Sequence, residues 1–194
     1  MKDNSFWGLR GSDPTAAPNT QSLTNHVVRR HTDNTIKKFR LYHFLNILGI
    51  PREAIATHPE NVDIARIDHP DYSDLRDRCI AAYKKGKQQY KANDEPFPHW
   101  TDPQGNVLSR SAEQFLRELA GMNTRKHSQR VLNPDKPAPT ILGSPDDHIH
   151  FAEPRVMTVR EHARLQSFPD SFVFKAKETT GGLKRREEVP QYTQ

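Results

Sequence analysis

Cysteine is nearly missing from this 194-residue chain, with Cys79 its single thiol. One cysteine excludes an internal disulfide framework and suits a reducing compartment. Apolar residues are scarce as well. They make up 34% of the chain and its mean hydropathy is −0.89, low for a self-contained globular enzyme. No apolar run approaches the roughly 20 residues of a membrane-spanning helix, and no signal-peptide pattern opens the chain. The nine glycines are dispersed, and none forms a Gly-x-Gly turn after a predicted strand. Fifteen prolines, by contrast, imply many loops and little core. The expectation is a soluble, cytoplasmic protein, folded in parts and short of the apolar surface it needs to close by itself. A formal charge of +5 and a pI of about 9.4 favour polyanionic partners and no membrane.

Residues 1–22 read as a flexible lead-in whose period is broken by Gly8, Gly11, Pro14 and Pro18, although Phe6, Trp7 and Leu9 could dock on something. From Leu23 to Leu48 the chain turns helical in character. Asp33 or Thr32 can cap, Ile36 and Phe39 begin an apolar face, and Gly49-Ile50-Pro51 supplies the stop. Leu75, Cys79, Ala82 and Tyr83 recur at helical spacing between Asp71 and about Ala92. Lys84, Lys85, Lys87 and Lys91 complement that helix's dipole, a role ranked above phosphate contact. Ser111 and Gln114 predict a capping box, followed by a stripe of Phe115, Leu116 and Leu119 that Gly121 ends. Then the period changes. Gln129–Leu132, Ala138–Leu142 and His148–Phe151 read as short strands, turned by Asn133-Pro-Asp-Lys136 and Gly143-Ser-Pro-Asp146. Phe172–Phe174 reads as a further brief strand.

The most informative stretch is Arg155-Val-Met-Thr-Val-Arg-Glu-His-Ala-Arg-Leu-Gln-Ser-Phe-Pro-Asp170. Thr158 and Glu161 form a capping box, and Pro169 cannot continue a helix. Arg160 and Arg164, four apart, share one helical face. On physics alone this is a capped surface helix. Its wording, however, closely resembles the "R-x-L-T-x-R-E-x-A-R-L-Q-x-F-P-D" segment of the DNA cytosine-5 methyltransferases, the ninth of ten ordered motifs. Leu132-Asn-Pro-Asp-Lys-Pro-Ala-Pro-Thr-Ile141 resembles that family's "L-x-P-x-x-P-x-P-T-I" hairpin in the target recognition domain. Asn25-His26 with Arg29 or Arg30 resembles the "N-H-x-x-R" that often opens that domain. Gln191-Tyr-Thr-Gln194 resembles the first letters of the tenth motif. Residues 51–125 match nothing that can be named.

The resemblance implies what chemistry to look for. In that family a cysteine after a proline attacks C6 of a flipped cytosine, a glutamate acts at N3, and a glycine-rich turn binds S-adenosylmethionine. No Pro-Cys pair is present, and Cys79, which follows Arg78 in a Lys-rich helical stretch, reads as a core thiol. The chain is therefore expected to contain no catalytic residue and no cofactor site, with S-adenosylmethionine belonging to the full enzyme.

What remains is the part that reads duplex DNA. The resemblance places Thr140 against a phosphate near the flipped base, while its bland reading is a β-prone strand residue. Arg130, Lys136 and Arg155 could neutralise phosphates. Alternatively Arg155, Arg160 and Arg164 pair with carboxylates and brace the domain, the role favoured for Arg160 and Arg164, with Glu161 closing the capping box. No metal site is expected, because His148-Ile-His150 and the loop histidines His58, His69 and His99 lack a tightly spaced third ligand.

The expected fold is α+β, with helices around a small antiparallel β-hairpin layer, lacking the doubly wound S-adenosylmethionine-binding sheet of the full enzyme. Residues 1–22 form the lead-in, 23–153 the recognition-like region, and 154–194 the ninth-motif helix with the start of the tenth motif. The ninth-motif helix is expected to expose apolar surface that faces the missing core. The function implied is the C-terminal, DNA-recognising portion of a bacterial, nucleoid-associated restriction-modification methyltransferase. That portion is expected to be inactive alone and is completed by a separate catalytic chain if the enzyme is split. The rival readings are a non-enzymatic DNA-binding module and an unstable remnant.

Overall fold

The computed structural model describes residues 23–61, 63–124, 126, 128–141, 145–175, 177–179 and 191–193. The lead-in with Phe6, Trp7 and Leu9, together with Leu142, Gly143 and Ser144, lies outside them. The described residues fall into two compact units. The larger is built from Arg30–Pro137 and Asp146–Val156, the second from the described parts of Met1–Arg29, Ala138–Pro145 and Met157–Gln194. The class is α+β. No helix among the described residues is long and apolar enough to cross a membrane.

Three helices organise the larger unit: α1 (Asp33–Leu48), α2 (Ser73–Ala92) and α3 (Ala112–Ala120). Helix α1 starts where its cap allows. The Thr32 hydroxyl accepts from the Thr35 amide, and the residues before it, 26–32, are not helical, so the helix is shorter than the sequence suggests. At its end Gly49 adopts φ 67°, and its amide and that of Ile50 return to Asn46 and Leu45, which closes a Schellman turn. Ser111 caps α3 by accepting from the Gln114 amide. The Gln114 side chain reaches one residue further back than the expected box, accepting from the Arg110 amide at 3.0 Å.

The core of this unit is aromatic. Phe44, Tyr83, Phe97 and Phe115 meet edge-on or stacked at centroid distances of 5.5–6.4 Å. Such rings bring packing area together with a favourable quadrupole geometry. Trp100 is almost wholly buried, and its indole N–H donates to the Lys37 carbonyl at 3.0 Å. Ser109, with no exposure, accepts from the Trp100 amide at its hydroxyl and from the Tyr83 hydroxyl at its carbonyl. At Gly86 a Cβ would meet the end of Leu48 at 2.6 Å, so this glycine sets how closely α1 and α2 approach.

The strand pairing overturns the hairpin expectation. Strands β1 (Arg130–Val131) and β2 (His148–Ile149) pair parallel, with Arg130 opposite His148. The sixteen residues 132–147 between them are long enough for the crossover that parallel neighbours require. Among the described residues antiparallel contacts occur only as isolated bridges such as Thr57–Ala65 and Ile149–Val156. The expected strand at Ala138–Leu142 is absent from its described part, 138–141. Pro137 and Pro139 remove amide donors at alternate positions, so no ladder can form along that side. In the second unit β3 (Lys177–Thr179) and β4 (Gln191–Thr193) also pair parallel.

Helix α4 (Val159–Leu165) carries the ninth-motif wording in the second unit. Its capping box is complete: the Thr158 hydroxyl accepts from the Glu161 amide, and the Glu161 carboxylate accepts from the Thr158 amide at 2.8 Å. The helix ends earlier than Pro169 demands. Ser167 takes φ 63°, and the amides of Ser167 and Phe168 return to Arg164 and Ala163 in a second Schellman turn. Val159 and Ala163 are buried, so the exposed apolar surface lies on the following segment, at Phe168, Phe172 and Val173, rather than on the helix. Phe168, Phe172 and Phe174 pack as a trio 4.9–5.6 Å apart, and Phe172–Phe174 forms no strand.

Two expected outcomes follow. Burial of Cys79 pushes its thiol up to about 11, so no thiolate exists near neutrality. Native protein at pH 8 should resist iodoacetamide while denatured protein is alkylated; rapid labelling of the native chain, read by mass spectrometry, would contradict the packing. In the second unit, Ser167→Gly should strengthen the α4 terminus by about 1 kcal/mol, because only glycine adopts the left-handed conformation without penalty. The readout is amide exchange across residues 159–168, and unchanged or faster exchange would refute this account of the helix end.

Candidate nucleic-acid interface

The second unit joins two segments that lie more than 130 positions apart. Asn25, at φ 60°, accepts from the Arg160 amide through its carbonyl. Its side chain then holds the backbone of one residue at both its polar groups, donating to the Phe174 carbonyl and accepting from the Phe174 amide, both at 3.0 Å. His26 Nδ1 lies 3.0 Å from the Thr158 hydroxyl, the residue that caps α4. The Asn25-His26 pair and the ninth-motif helix therefore form one hydrogen-bonded assembly.

Arg160 is its centre. The side chain is completely buried, and its guanidinium donates to the Thr24 carbonyl, the Thr24 hydroxyl and the carbonyls of Pro169 and Phe172. The expected carboxylate partner is replaced by neutral oxygens. Three carbonyls and a hydroxyl supply the acceptors at less desolvation cost than burying a second full charge. Arg164 does find a carboxylate, donating to both oxygens of Asp170 at 2.8 and 2.7 Å. That fork holds the Asp170 carboxyl below its usual range and raises the guanidinium further.

The residues expected to touch phosphate divide by exposure. Thr140 is exposed on the irregular 138–141 stretch of the second unit. In the larger unit Arg130 is exposed on β1, and Lys136 is exposed on the predicted turn, where the Asn133 side chain accepts from the Asp135 amide and its carbonyl from the Lys136 amide. Arg155 is buried. Its Nε donates to Glu153 at 2.8 Å and its Nη1 to the Val156 carbonyl, so it ties its own segment together and is not presented to a phosphate. Lys84, Lys85, Lys87 and Lys91 all lie exposed on the C-terminal half of α2.

His148 is buried, and its pKa falls by desolvation first and then by the charge of Arg130 beside it. The His150 Nδ1 accepts from the Ala152 and Glu153 amides. Neither belongs to a group of three or more possible metal ligands among the described residues. A different set forms one, which sequence reasoning missed: His58, His69 and Asp71 bring their ligand atoms within 4.8 Å of one another. The ten residues between the histidines carry no metal-spacing signal, and only the fold brings the two together.

Among the described residues no glycine-rich turn that could cradle S-adenosylmethionine is present: of Gly49, Gly86, Gly105 and Gly121, none follows a strand into a helix N-terminus.

Comparison with known proteins bears on what this assembly belongs to. The family model for C-5 cytosine-specific DNA methylase matches residues 20–186. The chain is 42% identical over 116 residues to the type II methyltransferase M.DdeI of Desulfomicrobium norvegicum, covering 59% of this chain and 24% of that protein. It is 40% identical over 75 residues to M.BbvI of Brevibacillus brevis, covering 37% and 20%. It is 56% identical over 43 residues to the putative type II methyltransferase M.MJ0563P of Methanocaldococcus jannaschii, covering 22% and 14%. The chain thus spans about a quarter or less of the curated relatives it matches. No solved structure matches it. With its family model spanning all but the ends, and with the matched motifs knitted together through Arg160 and Asn25, the chain belongs to the C-5 cytosine-specific DNA methylase family.

Proposed function

We propose that this chain is the C-terminal, DNA-recognising portion of an S-adenosylmethionine-dependent DNA (cytosine-5) methyltransferase of the restriction-modification type. It holds duplex DNA while the nucleophile and the cofactor site are supplied by another part of the enzyme. The observation that carries the reading is the clamp of Asn25 and His26 on α4, which unites matched motif segments from opposite ends of the chain. Cys79 is buried in the core with its proton retained, which suits it to packing and not to attack on a base.

Thr140, Arg130 and Lys136 are the proposed DNA contacts. A hydroxyl contributes a hydrogen bond to a phosphate without releasing a counterion, whereas each cation that neutralises a phosphate adds about 0.9 to the salt slope. Arg155, Arg160, Arg164 and Glu161 are bracing residues. The second reading, a non-enzymatic DNA-binding module, draws on the four exposed lysines of α2. It requires binding through that helix without sequence preference.

Fluorescence anisotropy with duplex DNA across a salt series separates these readings. Arg130→Ala with Lys136→Ala should lower the slope of log affinity against log salt by close to two units, following the same per-cation contribution. Thr140→Ala should weaken binding several-fold with the slope unchanged. An unchanged slope in the double variant, together with a loss in Lys84→Glu/Lys87→Glu, would transfer the role to α2. Purified alone, the chain should transfer no methyl group from labelled S-adenosylmethionine. Mixing it with a chain carrying the Pro-Cys and glycine-rich segments should restore transfer; methylation by the chain unaided would defeat the proposal.

A further inference from the structure

In the larger unit, one side-chain cluster has the composition of a metal site. The Thr57–Ala65 bridge, with His58 N–H donating to the Ile64 carbonyl and Arg66 N–H to the Ala56 carbonyl, pins His58 at the mouth of a tight loop. The chain then runs through a 3-10 turn at Arg66–Asp68 to His69. A second 3-10 turn, Pro70–Tyr72, leads directly into α2. His69 heads that turn, its Nδ1 accepting from the Asp71 amide at 3.3 Å. His58 is buried, His69 half-buried and Asp71 exposed, so the cluster runs from the protein interior out to solvent.

We propose that His58, His69 and Asp71 bind a divalent transition-metal ion of the zinc class, with the remaining coordination open to water. Two imidazoles and a carboxylate form the donor set that such borderline-soft ions take from proteins. His69 Nδ1 and Asp71 Oδ2 are 3.6 Å apart. Ligands held at about 2.1 Å on a tetrahedral ion stand roughly 3.4 Å from each other, so these two residues lie close enough to share one once the ring is oriented. The third donor lies within 4.8 Å of the others, so a shift of at most about 1.4 Å brings it to the same spacing.

The ring geometry says which group moves. The two imidazoles stack at 3.7 Å with 17° between their planes. In-plane lone pairs on parallel rings cannot meet at one ion. His69 is the less buried, so its ring turns about Cβ–Cγ, giving up its stack on His58, its edge contact with Tyr72 and its long contact to the Asp71 amide, while His58, whose Nδ1 accepts from the Glu60 amide at 3.2 Å, stays.

The surrounding charge favours a cation. Glu60, Asp63 and Asp68 lie in the same short segment, with Asp68 shared with Arg76 at 3.2 Å. The opposing charge is Arg66, whose guanidinium lies 5.4 Å over the Tyr72 ring. Tyr72 in turn meets both imidazoles edge-on. An ion held here would clip His58 to the start of α2 and stabilise the folded form by an amount that grows with the logarithm of the free ion concentration above Kd. The role is structural and independent of whether the chain reads DNA.

The test uses the full chain stripped with a chelator and titrated with Co2+ as a spectroscopic probe, then with Zn2+ by calorimetry. The expected result is one ion per chain, visible bands of a low-symmetry cobalt site, and a melting temperature raised by Zn2+. His69→Ala and Asp71→Asn, both outside the buried core, should each weaken binding at least tenfold and abolish the zinc-dependent rise in melting temperature while their circular dichroism stays native. His58→Ala is the third variant, read only if it folds. Absence of a cobalt spectrum at hundredfold excess of the probe would overturn the proposal. So would undiminished binding in His69→Ala and Asp71→Asn, which would assign the ion to other histidines.

Discussion

A guanidinium cannot leave water without compensation, and the second unit is arranged around meeting that requirement at Arg160. The side chain has no exposure, yet its N–H groups reach the carbonyls of Thr24, Pro169 and Phe172 and the Thr24 hydroxyl. Because those acceptors come from both sides of the sequence, satisfying one side chain fixes where two loops must lie. Helix α4 has only seven residues, too few to persist in isolation. It survives because both ends are closed, by the capping box at Thr158 and the Schellman turn at Ser167, and because its first turn is tied down by Arg160. Asn25 adds a second tie by pairing with both backbone polar groups of Phe174.

The larger unit solves a similar problem with neutral groups. Its interior is aromatic, and the polar tips of those rings need partners. The Ser109 carbonyl answers for the Tyr83 hydroxyl and Lys37 supplies the carbonyl that the Trp100 indole requires, while the Ser109 hydroxyl takes the Trp100 backbone amide. The outward side of α2 keeps its lysines in water. The same helix therefore serves the core through Leu75, Cys79 and Tyr83 and contributes positive surface through Lys84, Lys85, Lys87 and Lys91. This division matters for function, because a cation already paired with a carboxylate has little to offer a phosphate. Arg155 illustrates it: the arginine that opens the ninth motif is turned inward onto Glu153, and the exposed Arg130 and Lys136 are better placed for contact.

Local chemistry determined by the sequence alone includes the starts of α3 and α4 at Ser111 and Thr158, the stop at Gly49, the turn at Asn133–Lys136 and the burial of Cys79, whereas the start of α1 was narrowed only to Asp33 or Thr32. Each depends on residues within a few positions of one another, so the relevant energies are set before the chain folds. The motif wording likewise identified the family without reference to any contact. Tertiary structure decided the rest. The parallel pairing of β1 with β2, the inward turn of Arg155, the neutral partners of Arg160 and the approach of His58 to His69 all join residues whose meeting depends on loop closure and burial elsewhere. The missing strand at 138–141 was itself legible locally, because Pro137 and Pro139 remove amide donors at alternate positions. Hydrogen-bond donors within a segment are written in its sequence, whereas the acceptor that arrives from a distant segment is chosen only when the core closes.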